Sequence, residues 1–189
     1  MSQQYQMRFA GSGGQGVILA SVILAEAAVI CGFQAVQSQA YGPEARGGVS
    51  KAETIVSREK IWFSKVLRPD FLLALNQSSL NAYASSLAEG GVVMIDDSLS
   101  AAALPEGTRF IAVPILRTAR ETVGKAFTAN IVAVGAINAA LRLFPDEQLA
   151  EAVERHIPAG TEAINRKALA AGAALIGAET ARAYARSWE

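Results

Sequence analysis

A glycine-rich turn near the start of the chain constrains the fold more than any other feature of the sequence. The turn reads Gly11-Ser12-Gly13-Gly14-Gln15-Gly16. A short strand-like run at 6–10 precedes it, and an apolar segment of helical length, Val17–Ile30, follows it. Glycine permits backbone conformations that side chains forbid, and it lets a ligand approach the main chain closely. A strand, a glycine turn and a helix in this order are typical of the first unit of an α/β domain.

The same turn indicates a binding site for an anion. Free backbone N–H groups and the positive end of the helix dipole point out of such a turn, most often at a phosphate. The spacing is that of the G-x-G-x-x-G dinucleotide fingerprint, in its required strand-to-helix context. A tight turn that only packs a helix against a strand uses the same glycines. The turn alone therefore leaves both interpretations open.

Length, composition and charge limit the classes of function. A chain of 189 residues predicts one domain over residues 1–189, with enough chain to bury a substantial core. Hydrophobic residues make up 51% and charged residues 18%, which indicates a globular chain. Seventeen basic residues balance seventeen acidic ones, which argues against nucleic acid or an anionic membrane as the partner. Much of the apolar content is alanine, which favours helices covered by partner chains.

The few cysteines and histidines exclude several kinds of site. Cys31 is the only cysteine and His156 the only histidine, so the chain cannot build a disulfide framework, a zinc site or an iron–sulfur cluster. We interpret His156 as a helix-end or packing residue rather than a catalytic base. The N-terminus has no signal-peptide pattern, and Glu26 interrupts the longest apolar run. We therefore expect a cytoplasmic protein without a membrane span.

Alternating strand-like and helix-like segments predict an α/β fold. The expected architecture is a Rossmann-like, mostly parallel sheet with helices on both faces, an inserted β-hairpin and a helical C-terminal third. The predicted core strands are 6–10, 33–37, 71–75, 92–95 and 109–113. The predicted hairpin pairs 49–56 with 61–63, and Asn76 is the expected cap of a helix that runs to about residue 87. The predicted C-terminal helices are 126–144, 146–156 and one long helix from 161 to about 186.

The second strand weakens the interpretation as a nicotinamide-binding domain. Such a domain places Asp or Glu about 20 residues beyond the glycines, where it binds the ribose hydroxyls. This sequence has Gln37, Ser38 and Gln39 there, with no carboxylate and no basic residue for an additional phosphate. A free-standing nicotinamide- or flavin-dependent reductase stays as a disfavoured alternative.

Two further stretches contain groups that often bind ligands. The loop 41–48 carries an aromatic, a carboxylate and a guanidinium in six residues: Tyr41, Glu44 and Arg46. Loops beside a phosphate turn often carry binding residues, although a water-facing surface turn has the same composition. Asp96 and Asp97 stand together at the end of a predicted strand. With no further His, Asp or Glu nearby in the sequence, we interpret this pair as a loop start rather than a metal site.

Taken together, these residues resemble a known family. The motifs that carry the resemblance are Gly13-Gly14-Gln15-Gly16, the loop Tyr41-Gly42-Pro43-Glu44-Ala45-Arg46-Gly47-Gly48, Asp96, and Asn130 within the segment 129–136. They resemble the gamma subunit of 2-oxoacid:ferredoxin oxidoreductases, the pyruvate/ketoisovalerate/2-oxoglutarate oxidoreductase gamma family. The resemblance spans nearly the whole chain.

The resemblance implies a subunit of a larger enzyme. That enzyme oxidatively decarboxylates a 2-oxoacid on thiamine diphosphate, passes electrons through iron–sulfur clusters and transfers the acyl group to coenzyme A. Thiamine diphosphate with Mg and the 4Fe-4S clusters are expected on partner subunits: thiamine-binding alpha and beta subunits and a separate ferredoxin-like cluster subunit. The gamma chain is expected to help bind coenzyme A and to hold no metal and no catalytic residue. A purely structural interface subunit is the alternative.

The expected coenzyme A site combines the glycine turn with nearby cations. We expect the diphosphate on the turn, with Arg46 and then Lys125 as the cations that neutralise the remaining charge. Arg46 has a second interpretation, as a salt bridge to Glu44 or to a partner subunit. The complete set of expected coenzyme A-binding residues is Gly11, Ser12, Gly13, Gly14, Gln15, Gly16, Tyr41, Arg46, Lys125 and Asn130.

Overall fold

The computed structural model describes residues 4–40 and 49–186. Within these residues six strands form one sheet in the order β2-β3-β1-β4-β5-β6. The strands are β1 (Gln4–Ser12), β2 (Gln34–Ala40), β3 (Val49–Ser57), β4 (Phe71–Ala74), β5 (Val92–Asp96) and β6 (Arg109–Val113). Strand β3 is antiparallel to both of its neighbours, and the other five strands share one direction. The predicted mostly parallel α/β sheet is confirmed. The expectation of one domain over residues 1–189 stays a prediction.

Seven α-helices accompany the sheet in the described part of the chain. They are α1 (Val17–Ile30), α2 (Gln77–Tyr83), α3 (Ile115–Arg117), α4 (Ala129–Leu141), α5 (Asp146–His156), α6 (Glu162–Ala173) and α7 (Ala178–Tyr184). Helix α3 continues into a π-helical turn, Thr118–Val123, and 3-10 turns cover Ala84–Ser86, Ala101–Ala103 and Ala126–Thr128. Within the described ranges, no helix has the length and apolar character needed to cross a membrane.

Helices cover both faces of the sheet, as predicted. Side chains of a strand alternate between faces, and β4 shows the division clearly. Phe71 and Leu73 join a large core that includes residues of α1, α4, α5 and α6, and we call this side the helix face. Leu72 and Ala74 join a smaller core that includes residues of α2 and the 3-10 turn after it, and we call this side the α2 face.

The predicted β-hairpin is wrong. Residues 49–56 are a strand, but 61–63 are not. Strand β3 instead lies between β1 and β2, with Val49 opposite Ser12 at one end and Ser57 opposite Gln4 at the other. A strand has only two hydrogen-bonding edges, and both edges of β3 are already used. The segment after Ser57 therefore has no edge of β3 left to pair with.

The predicted helix 126–144 is shorter in the structure, because a buried amide ends it. Asn138 donates from Nδ2 to the Phe144 carbonyl at 2.9 Å and accepts the Phe144 N–H on Oδ1 at 3.0 Å. These bonds turn the chain back after Arg142, whose φ of 52° lies in the left-handed region. Helix α5 then begins at Asp146 and ends at His156, as predicted.

The predicted single C-terminal helix is also wrong, since it is divided into α6 and α7. The N–H groups of Leu175 and Ile176 bond to carbonyls three residues back, which tightens and closes α6. Helix α7 then packs on the edge strand β6. There the Tyr184 hydroxyl donates to the Phe110 carbonyl at 3.1 Å, and Arg109 Nη2 donates to the Ala183 carbonyl at 2.7 Å. These contacts between distant residues determine the direction of α7.

Helices α4 and α6 cross at two glycines. A Cβ placed on Gly135 would overlap the Leu169 carbonyl, and one placed on Gly172 would overlap the Val132 carbonyl. The two backbones are therefore in direct contact, with no side chain between them. The helix face is packed as closely here as two helices allow.

Candidate functional site

The glycine turn lies between the carboxyl end of β1 and the start of α1. Gly14 has a φ of 89° and Gly16, the N-cap of α1, a φ of 71°, so both adopt the left-handed conformation that glycine tolerates best. Gly13 and Gly14 are exposed, and nothing lies within 4 Å of the place where their Cβ atoms would stand. The backbone of the turn is therefore open to a ligand on its outer side.

Gln15 closes the turn from within. Its Oε1 accepts the Ser12 N–H at 2.6 Å, and its Nε2 donates to the Leu75 carbonyl at 3.0 Å. Its own N–H donates to the Ser12 carbonyl at 3.2 Å. Because both ends of its amide are engaged, Gln15 shapes the turn and ties it to the end of β4.

Asn76 holds the same turn from the neighbouring strand, a contact that we did not predict. Its Oδ1 accepts the Ser79 N–H at 2.7 Å, which confirms the predicted cap of α2. Its Nδ2 donates to the Ser12 hydroxyl at 2.6 Å. The contact depends on the parallel pairing of β1 with β4, which brings Asn76, two residues beyond the end of β4, beside Ser12.

Asn130, one of the expected coenzyme A-binding residues, lies on α4 against the turn. It is 4% exposed, and a Cβ on Gly16 would lie 2.7–2.9 Å from its side-chain atoms. A residue with a side chain at position 16 would collide with it. Asn130 as a whole is buried, but no hydrogen bond joins its amide to the described residues, and the amide atoms are not sealed from solvent. The amide is therefore a polar group that a ligand can reach.

The electrostatic character of the site comes from the start of α1. Among the described residues, no side chain caps this helix, and its first turn contains no acidic residue. The first N–H groups of a helix lack partners inside it, and they carry the positive end of the dipole. Together with the open glycines and the Asn130 amide, they form a site for an anion such as a phosphate.

Among the other expected site residues, one does not contact the turn within the described residues, and two lie outside them. Lys125 is exposed and precedes the 3-10 turn that leads into α4, where its carbonyl accepts the Thr128 N–H at 3.0 Å. No contact joins its ammonium group to the turn in the described parts of the chain. Tyr41 and Arg46 lie outside the described residues.

At the position where a dinucleotide-binding domain carries a ribose-binding acid, this chain has Gln37, whose amide is bonded to α1. Gln37 Nε2 donates to the Ser21 hydroxyl at 3.0 Å, which joins β2 to α1. Ser21 itself is buried. This contact packs the Gln37 amide against α1, and the position carries no carboxylate for ribose hydroxyls.

The two carboxylates at the end of β5, Asp96 and Asp97, have a structural role. Asp96 is buried, accepts the Leu116 N–H at 2.7 Å, and also accepts from the N–H and hydroxyl of Ser98. Asp97 is paired at the surface with Arg117 at 3.0 Å. No cluster of three His, Cys, Asp or Glu side chains suited to a metal ion occurs in residues 4–40 and 49–186. The interpretation as a loop start agrees with these contacts.

Comparison with known proteins gives one consistent result. The family profile of pyruvate ferredoxin/flavodoxin oxidoreductase matches residues 6–175. The 2-oxoglutarate synthase subunit KorC of Methanocaldococcus jannaschii is 41% identical over 170 residues, which cover 88% of this chain and 91% of KorC. The match therefore spans most of both chains.

Solved structures show the same fold. The gamma subunit of the keto/oxoacid ferredoxin oxidoreductase from Geobacter sulfurreducens superposes with a TM-score of 0.82 at 42% identity, covering 97% of this chain and 99% of that one. A 2-oxoglutarate:ferredoxin oxidoreductase from Magnetococcus marinus, with 2-oxoglutarate, coenzyme A and succinyl-CoA bound, gives a TM-score of 0.83 at 23% identity. The match covers 93% of this chain but 31% of that one, so there the fold is one part of a longer polypeptide.

Proposed function

We propose that this chain, which belongs to the pyruvate ferredoxin/flavodoxin oxidoreductase family as a gamma subunit of 2-oxoacid:ferredoxin oxidoreductases, binds coenzyme A at the Gly11–Gly16 turn. The observation that carries the proposal is the uncapped start of α1 at Gly16, with the accessible amide of Asn130 packed directly against it. Both groups are hydrogen-bond donors, and both lie beside Gly16. The diphosphate of coenzyme A is an anion of suitable size and charge for them.

The relatives support coenzyme A as the ligand. The Magnetococcus marinus relative has coenzyme A and succinyl-CoA bound, and KorC belongs to a 2-oxoglutarate synthase. The absence of an acid at Gln37 argues against a nicotinamide dinucleotide in the same turn.

Each group at the turn has a distinct part in this proposal. The backbone N–H groups of the turn bind diphosphate oxygens, and the Asn130 amide donates to one further oxygen. Gln15 and Asn76 hold the turn in shape through their contacts with Ser12. Lys125 is proposed as a cation for a more distant phosphate. Tyr41 and Arg46 stay predictions, supported by the pairing of Val49 with Ser12, which starts β3 beside the turn.

The remaining chemistry is assigned to partner subunits. We propose thiamine-binding alpha and beta subunits and a ferredoxin-like subunit, because a chain with one cysteine cannot ligate a 4Fe-4S cluster. Thiamine diphosphate with Mg supplies decarboxylation, and the clusters carry the electrons away. The isolated gamma chain should then be colourless and inactive. Oxidoreductase activity of the isolated chain would contradict this assignment.

Replacement of Asn130 by aspartate tests the coenzyme A site in the assembled enzyme. Asn130→Asp keeps the shape of the side chain but replaces a donor with a negative charge. A hydrogen bond to a charged group contributes about 1.5–3 kcal/mol, so affinity for coenzyme A should fall about tenfold or more. Titration of coenzyme A into the complex measures the affinity, and 2-oxoacid-dependent electron transfer without coenzyme A measures the other half-reaction.

The control is Asn81→Asp, the same change at an exposed position of α2. It should leave both measurements unchanged. A normal coenzyme A response in Asn130→Asp would instead favour the alternative, a gamma chain that only shapes the interface. Equal loss in both half-reactions would mean that the variant has misfolded or left the complex.

A further inference from the structure

The segment that joins β3 to β4, residues 58–68, exposes apolar side chains to a degree unusual for this chain. Trp62 is 82% exposed, Phe63 60% and Leu67 65%. Three of the six large exposed hydrophobic residues in the described ranges therefore lie within six consecutive residues. Single exposed apolar residues need no explanation, but a cluster of them marks an interaction site.

The segment is anchored to the sheet. Val66 is buried, and its carbonyl accepts from Arg8 Nη2 at 2.8 Å. Arg8 is itself buried: its Nε donates to Glu53 Oε1 at 2.8 Å and its Nη1 to the Ser86 hydroxyl at 2.6 Å. This network fixes the backbone at Val66, directly before the exposed Leu67.

The segment is also basic, although the chain as a whole is neutral. Its ionisable residues are four basic ones and one acidic one, all exposed: Arg58, Glu59, Lys60, Lys65 and Arg68. The Lys60 ammonium lies 4.2 Å from the centroid of the Trp62 ring. Exposed aromatic residues surrounded by cations are typical of a protein interface, where Trp, Tyr and Arg contribute most of the binding energy.

We propose that segment 58–68 docks into an apolar groove, rimmed by carboxylates, on a partner subunit of the same enzyme. The inference rests on the proposed function, since it requires the partner subunits. The basic side chains of segment 58–68 favour a partner surface that is acidic. The Magnetococcus marinus enzyme, in which this fold is about a third of a longer chain, supports a protein neighbour that belongs to the enzyme itself.

The proposed docking surface is separate from the glycine turn. Strand β3 runs antiparallel to β1, from Val49 opposite Ser12 to Ser57 opposite Gln4. The segment therefore leaves β3 at the end of the sheet opposite the turn. Docking there leaves the coenzyme A site accessible, so the two sites can be tested independently.

The test is reassembly of the complex from the full chain and its purified thiamine- and cluster-bearing subunits. A Trp62→Ser/Phe63→Ser double variant removes the exposed rings without touching the core. Loss of one such interface residue typically costs a factor of about 30 or more in affinity. The dissociation constant, measured by isothermal titration calorimetry, should rise at least that much. The control is Phe110→Ser, an aromatic residue 42% exposed on the far edge strand β6, which should leave the dissociation constant unchanged.

A Lys60→Glu/Lys65→Glu variant tests the acidic rim of the groove. It should weaken assembly at low salt and reduce the dependence of the dissociation constant on ionic strength. Thermal unfolding of each isolated variant should match that of the wild type, because all four side chains are exposed.

The outcomes distinguish failure of the docking proposal from failure of the proposed function. If the wild-type chain binds none of these subunits, both the proposed function and the inference fail. If it assembles and both variants assemble with unchanged affinity, only the inference fails, and the coenzyme A titration still tests the site at the turn. If the variants assemble normally but lose binding to phosphatidylserine vesicles, the segment contacts lipid and the subunit docking proposal is wrong.

Discussion

The two faces of the sheet are completed in different ways. The helix face is covered by α1, α4, α5 and α6 over a large apolar core, with the buried residues Asn130, Asn138 and Asn165 on its helices. The α2 face has a helix of seven residues, a smaller core, a buried ion pair between Arg8 and Glu53, and the anchored segment 58–68. On the α2 face of the described sheet, the buried Arg8 anchors a segment whose aromatic side chains are exposed. The helix face contributes mainly to stability, whereas the α2 face also anchors the segment that we propose to dock on another chain.

The two kinds of covering respond differently to change. Apolar burial is non-directional, so the helix face depends on volume and close approach. A buried ion pair gains little net stability, because desolvation offsets the attraction, but removal of one partner leaves an uncompensated buried charge. The helix face should therefore be sensitive to added atoms, and the α2 face to a lost charge.

The largest effect is expected where α4 and α6 cross. Gly135→Ala and Gly172→Ala each place a methyl group against a carbonyl of the other helix, so the backbones must move apart. Overpacking costs about 1–3 kcal/mol per site and more where backbone must shift, so the double variant should lose on the order of 5 kcal/mol. Urea unfolding measures the loss. Gly177→Ala, where nothing lies within 4 Å and φ is −72°, is the control and should change stability little.

A smaller effect is expected on the α2 face from Arg8→Met. Loss of one partner of a buried ion pair costs about 3–5 kcal/mol, and we expect the lower end because Lys51 also lies 3.0 Å from Glu53. Cleavage of the native protein by trypsin after Lys60 and Lys65 should become faster, since the Val66 anchor is lost. The double variant Arg8→Met/Glu53→Leu should recover part of the stability. If it were less stable than Arg8→Met, the buried charge would not be the cause.

Local signals predicted much of the fold correctly. The bounds of α1 match because the glycine turn precedes it and Gly32, with a φ of 82°, follows it. Strand β6 and helix α5 match for similar reasons, since turns or proline flank them. The insertion of β3 between β1 and β2 was not predictable in this way, because it depends on pairing between distant residues.

The candidate site likewise contains features that the local sequence predicts and contacts that depend on the tertiary fold. The turn and the Asn76 cap are local features, and both were predictable from residue type and order. The contact of Gly16 with Asn130 was not predicted, since nothing in the spacing of two distant residues places them together; the family resemblance identified Asn130 only as a member of the expected binding set. The Ser12–Asn76 bond required knowledge that β1 and β4 are neighbours.

An intermediate effect is expected from the buried amide of the helix face. Asn138→Leu preserves most of the volume but removes both hydrogen bonds between the side chain and the Phe144 backbone. Each buried hydrogen bond contributes about 1 kcal/mol, so we expect a loss of about 2 kcal/mol in urea unfolding. Asn165→Leu, which removes a bond to the Thr161 carbonyl at the start of α6, should cost less because that carbonyl still accepts the Asn165 N–H at 3.1 Å. The reverse order would contradict this account of how α4 ends.

The smallest effect is expected from Asp70, which precedes β4 and accepts the Gln6 N–H at 2.8 Å. Burial raises the pKa of the Asp70 carboxyl above its usual value, while this hydrogen bond and the charge of Arg186 act in the opposite direction. The folded state therefore holds the proton more tightly than the unfolded state does. Stability is present below the usual pKa and is lost as the pH rises through the raised one.

Asp70→Asn keeps an acceptor for Gln6 but cannot ionise, so it should remove this loss. The free energy of unfolding of the variant, minus that of the wild type, should increase as the pH rises from about 4 through the raised pKa, and then stay constant. The change should be within about 0.5 kcal/mol. Guanidinium chloride unfolding at several pH values, with both proteins at the same ionic strength, measures the difference. A difference that decreases over this range would mean that the bond to Gln6 and the charge of Arg186 outweigh burial.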